Sequence, residues 1–120
     1  MSRPGAADRR RELGIEGENA VAAWYQQRGY QVMVRNWRCR EGEVDLILRD
    51  GRCYVFCEVK SRTSTAFGAP VEAVTRTKQA RLRHLAARWL AQEAPSRLPE
   101  IRFDVASVLA GAIDVIEGAF

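Results

Sequence analysis

The chain is expected to fold as an α/β protein of element order α-β-β-β-α-β-β, and three features of its sequence carry that expectation. Apolar residues recur at helical spacing from Glu12 to Arg28 and again from Thr75 to Ala94. The stretches between and after them alternate apolar with polar residues, or are apolar without a break, as strands are. Asp50-Gly51 and Ala110-Gly111 interrupt those runs where hairpins would turn. A length of 120 residues suits one domain, placed at 12–120. Residues 1–11, with Pro4, Gly5 and the run Arg9-Arg10-Arg11, are expected to form a mobile basic arm.

Composition narrows the function. The 19 Lys+Arg against 15 Asp+Glu leave a net charge of +4, which suits a polyanionic partner without requiring one. No apolar run is long enough to span a bilayer, and the opening MSRPGAADRRREL lacks the apolar segment of a signal peptide, so the chain is expected in the cytoplasm. Cys39, Cys53 and Cys57 are odd in number and lack C-x-x-C spacing, and His84 is the only histidine. On that pattern neither a disulfide framework nor a zinc cluster is expected, and any metal would be a hard one held by oxygen.

The first helix carries Leu13, Gly17, Ala20, Val21, Trp24 and Arg28 on one stripe, with Trp24 as its main core residue and Gly29 as its C-terminal cap. Glu18 sits at the edge of that stripe. Taken alone it reads as an ordinary solvated acid favoured by the helix dipole. Tyr30, Val32 and Val34 alternate with Gln31, Met33 and Arg35 as a first strand, after which residues 36–43 turn polar and basic. Trp37, flanked by Arg35, Arg38 and Arg40, has two readings: a ring that stacks on a base while the arginines take phosphates, or a core residue beside the sheet.

From Glu43 to Lys60 the chain reads as a hairpin. Side chains alternate along a strand, so Glu43 and Asp45 share a face of the first arm, and Glu58 and Lys60 share one of the second. The second arm is apolar on both sides until Glu58, which buries it and leaves its charges at one end. Burying a carboxylate requires a counter-charge, a metal or a proton. After Lys60, SRTSTAFGAPVEAV cannot continue the strand; it is a candidate for touching substrate, or a plain linker.

The second helix presents Leu82, Leu85, Ala86, Trp89 and Leu90 as its apolar face and stops before Pro95. Lys78 and Gln79 extend the same stripe backward. Either the stripe runs out over solvent there, or it reaches the polar end of the hairpin at Asp45, Glu58 and Lys60. His84 falls on the opposite face and is read as exposed, without a role. Two last strands run from Ile101 to Leu109 and from Ile113 to Ile116. Asp104, between Phe103 and Val105, is expected to be half-buried in a structural role, as a cap or the partner of an arginine close to Arg102.

An acid one strand ahead of Glu-x-Lys, after a helix with its own glutamate, resembles the PD-(D/E)xK nuclease superfamily. From Gly14 onward the chain also resembles the YraN family of small bacterial proteins, itself similar to archaeal Holliday-junction resolvases. The matching segments are G-I-E-G-E-N-A at Gly14–Ala20, G-E-V-D-L-I at Gly42–Ile47, E-V-K at Glu58–Lys60, F-G-A-P at Phe67–Pro70, K-Q-A-R-L at Lys78–Leu82 and R-F-D-V at Arg102–Val105. Val44 stands where the superfamily's proline would be. The resemblance implies a restriction-endonuclease-like fold, with a central mixed sheet of about five strands flanked by two main helices. It also implies that Asp45, Glu58 and Glu18 hold a metal, that Lys60 is the catalytic lysine and that Gln79 is lent to the site by the second helix. Arg35, Arg38, Arg40, Arg62, Lys78 and Arg81 would then supply nucleic-acid contacts, to DNA rather than RNA. Junction resolvases cut two strands symmetrically, so the analogy extends to a homodimer.

The residue types suit that chemistry. Two converging carboxylates repel each other unless one is protonated or a divalent cation holds both ionised. Mg²⁺ or Mn²⁺ prefers oxygen ligands and keeps waters, one of which can serve as nucleophile in phosphodiester hydrolysis. A metal-dependent nuclease and a catalytically silent nucleic-acid-binding module of the same fold are therefore the two functional expectations.

Overall fold

The computed structural model describes residues 5–63, 74–95 and 99–120. Among them the chain forms α1 (Ala6–Gln27), β1 (Gln31–Cys39), β2 (Gly42–Asp50), β3 (Cys53–Arg62), α2 (Arg76–Glu93), β4 (Glu100–Leu109) and β5 (Ala112–Ile116). The strands make one sheet in the order β1-β2-β3-β4-β5. β3 and β4 run parallel and all other neighbours antiparallel, so the sheet is mixed. A parallel pair needs a crossover connection, and α2 supplies it.

Each face of the sheet is covered by one helix. Val21, Ala22 and Tyr25 of α1 pack on Leu46, Leu48, Val55, Cys57, Ala106 and Val108. On the other face Leu82, Leu85, Ala86, Trp89 and Leu90 of α2 pack on Val44, Ile47, Tyr54, Phe56, Phe103 and Val105. A sheet covered on both sides explains the unbroken apolar runs in β2, β3 and β4.

Several boundaries and roles differ from the sequence expectation. α1 begins at Ala6 rather than Glu12, which places Arg9-Arg10-Arg11 within its first turns. Its principal core residue is Tyr25, fully buried, while Trp24 is only half-buried and carries the Arg28 guanidinium 3.6 Å from its ring centroid. A stripe one residue over is enough to exchange the two rings. β1 continues through the basic stretch to Cys39, and its Trp37 packs against the α2-side core, the second of its two readings. Asp104 is completely buried, not half-buried. α2 matches closely: Thr75 caps it, its hydroxyl accepting the Lys78 N–H at 3.2 Å, and it ends at Glu93 before Pro95. Most of the connection expected to touch substrate, residues 64–73 with the F-G-A-P segment, lies outside the described residues.

Candidate functional site

The site lies where β2 and β3 part. Their antiparallel pairing ends at Leu46 and Cys57, and the next pair in that register would be Asp45 opposite Glu58. A side chain takes over from the backbone there, because Asp45 Oδ2 accepts the Val59 N–H at 2.8 Å. Asp45 and Glu58 both line a cavity of about 200 Å³, with Glu43, Lys78, Arg81 and Leu85 among its other walls. Gly42 completes the wall. It has a φ of 149°, and a Cβ on it would stand 3.3 Å from Arg81 Cδ and 3.4 Å from Leu85 Cδ1. Any other residue would be strained at that φ, and its Cβ would press on the Arg81 and Leu85 side chains.

Glu58 is 7% exposed, and its Oε1 accepts from two ammonium groups, Lys78 Nζ at 2.7 Å and Lys60 Nζ at 3.0 Å. Burial raises its pKa, but the two lysines outweigh burial and hold the carboxyl below its usual range. The Lys60 ammonium is pulled down by burial and by the adjacent Lys78, against the attraction of Glu58. Burial also works against Lys78, yet its bond to Glu58 prevails and moves it up. Among the described residues Asp45 makes no such ion pair. Burial first, then the charge of Glu58, push its pKa up to about 7; Glu18 and Glu43 add to the rise and the Val59 N–H opposes it.

Glu18 is not among the residues that line the cavity, but its charge bears on Asp45, and α1, which carries it, crosses β3 closely. A Cβ at Gly17 would lie 1.9 Å from Ser61 Oγ, so only glycine permits the approach. The half-buried Glu18 that follows accepts a 2.8 Å hydrogen bond at Oε2 from Asn36 Nδ2. Asn36 lies in β1 between Arg35 and Trp37, whose partners Leu46 and Val44 flank Asp45. Its φ of 52° is left-handed, a conformation asparagine tolerates better than most residues. Sequence reasoning missed Asn36. The available signal was a residue of poor strand propensity within a segment that nonetheless forms a strand.

The polar pair at the start of α2 divides. Lys78 reaches Glu58, whereas the Gln79 amide turns back and donates to the Val74 carbonyl at 3.1 Å. Of the basic residues assigned to nucleic acid, Arg81 and Lys78 border the cavity. Arg38 pairs with Glu43 at 2.6 Å, and Arg35 donates to Asn19 at 2.5 Å. Arg40 is exposed, and Arg62 is half-buried at the end of β3.

Among the described residues no three acidic, histidine or cysteine side chains converge as a ready-made metal cluster. The donor set is the Asp45–Glu58 pair, with the charge of Glu18 close enough to bear on Asp45. Two carboxylates on one cavity, one of them with no ion-pair contact among the described residues, fit a hard oxygen-seeking cation.

The model of the uncharacterised protein family UPF0102 matches residues 17–108. A UPF0102 protein of Beutenbergia cavernae is 55% identical over 97 residues, 81% of either chain. One from Acidothermus cellulolyticus is 42% identical and covers 97% of this chain and 98% of its own, and one from Nocardia farcinica is 51% identical over 98 residues, 81% of this chain and 76% of its own. The matched span contains Glu18, Asp45, Glu58, Lys60 and Lys78.

Proposed function

Since the chain belongs to the UPF0102 family, the YraN family its motifs resemble, we propose that it is a cytoplasmic, metal-dependent endonuclease hydrolysing phosphodiester bonds in DNA, with branched or repair intermediates as substrates. One observation carries the reading: Asp45 and Glu58 line a single cavity while Lys60 holds Glu58 at 3.0 Å. Asp45 and Glu58 would hold Mg²⁺ or Mn²⁺, with Glu18 reaching it through water. Bound there, the ion supplies charge neutralisation and a water of lowered pKa. Lys60 keeps Glu58 ionised and sets an ammonium beside the scissile phosphate, where negative charge grows. Arg81 meets the flanking phosphates, and Gln79, through Val74, fixes the start of the helix that carries Lys78.

Cleavage of branched, flapped and single-stranded DNA in Mg²⁺ or Mn²⁺ tests the reading. The expected result is cleavage by the wild-type protein and a loss on the order of 10²-fold or more in D45A and E58A. Equal cleavage by all three would assign the activity to a contaminant. The neutralisation of Glu58 by two lysines favours one other reading, a silent nucleic-acid-binding module. That reading requires DNA affinity that falls steeply with salt, together with no uptake of Mn²⁺.

A further inference from the structure

Lys78 is oddly placed. It lies in the first turn of α2 with Arg76, in a helix start that has no acidic residue, although the positive end of the helix dipole disfavours cations there. Its ammonium nevertheless sits 2.7 Å from Glu58 Oε1, closer than Lys60 and on the same oxygen, and its side chain also forms part of the cavity wall. The side chain is 33% exposed, so it has water to move into. The contact with Glu58 is what holds a cation in that position, and a metal on Glu58 would compete for the same oxygen.

We infer that Lys78 is the resident counterion of Glu58, which a divalent cation must displace, and whose release presents the freed ammonium to the DNA backbone. The inference rests on the metal-site reading of Asp45 and Glu58. It makes cation and DNA binding mutually reinforcing, because each uses a partner that the other sets free. Lys60, adjacent on β3, stays with Glu58 in both states.

Calorimetric titration with Mn²⁺ in the absence of DNA tests the displacement. K78Q should bind the ion roughly three- to tenfold more tightly than wild type, because no counterion has to leave. R76Q removes the same charge from the same helical turn without touching Glu58, and its affinity should stay within about twofold of wild type. An unchanged or weaker affinity in K78Q overturns the inference, as does an equal gain in R76Q. E58Q separates this failure from that of the parent reading: if E58Q binds Mn²⁺ as wild type does, or if no protein binds it, the metal site itself is refuted and the inference with it. DNA affinity with Ca²⁺ in the same oxygen site tests the release. K78Q should lose the gain that Ca²⁺ gives wild type, so that its DNA affinity is the same with and without the cation. An equal weakening with and without Ca²⁺ would make Lys78 an ordinary phosphate contact and overturn the inference. Far-ultraviolet circular dichroism and a thermal melt on each variant confirm that the proteins compared are folded.

Discussion

Two buried carboxylates on adjacent strands of this sheet meet opposite fates. Asp104 on β4 is fully buried, and every one of its lone-pair directions is used. Oδ1 accepts from Arg102 Nε at 2.9 Å and from the Gly118 N–H at 3.0 Å; Oδ2 accepts from Tyr25 Oη at 2.6 Å and from an Arg102 terminal nitrogen at 2.9 Å. The network also reaches Tyr30, whose hydroxyl accepts from Arg102 at 2.9 Å. Glu58 is paired in register with Val105, the residue after Asp104, but it faces α2 rather than α1 and keeps company with Asp45, which has no ion-pair contact among the described residues. A saturated buried acid ties helix, strand and C-terminal segment together. An undersaturated pair beside a cavity leaves capacity for a ligand.

Asp104 should prove indispensable to the fold. D104N leaves Arg102 and Tyr25 facing an amide that cannot take all their donors, and it should lower stability by about 3–5 kcal/mol in urea unfolding. Asp45 should behave in the opposite sense. Its pKa, near 3.8 in the unfolded chain, is about 7 when folded, so the folded state holds the proton more tightly. The Asp45 contribution to stability should therefore fall as pH rises through that window and level off above it. D45N, which does not titrate, should lack that slope, be more stable than wild type at pH 8 and lose the advantage below about pH 4. A pH-independent difference between the two proteins would mean that Asp45 does not carry the strain of the site. The smallest effect sharpens the contrast. Ser61 Oγ is buried without a hydrogen-bond partner among the described residues, where α1 crosses β3. S61A removes that unmet group, and thermal melts should find it neutral or stabilised by up to about 1 kcal/mol.

The hairpin was readable from sequence because strand alternation puts Asp45, Glu58 and Lys60 at one end whatever surrounds them. The second helix was readable for a similar reason, since its apolar stripe, Thr75 cap and Pro95 stop are all local signals. The places where reading failed depend on contacts distant in the chain. Tyr25 rather than Trp24 enters the core because Asp104, 79 residues away, receives its hydroxyl. Asn36 became visible only once Glu18 was brought to it across 18 residues. Asn36 lies in a strand because β2 offers its segment a partner, against its own low propensity.

Sequence alone determined the order of the elements, the apolar faces that build a sheet covered on both sides, and the carboxylates and lysine gathered at one end of a hairpin. These follow from periodicity, which is a property of the chain read locally. The opening of the β2–β3 ladder at Asp45, the meeting of Lys78 rather than Gln79 with Glu58, and the saturation of Asp104 but not of Asp45 arise from packing in three dimensions. Burial and charge balance at a point are sums over neighbours from several segments, and no single stretch of sequence contains them.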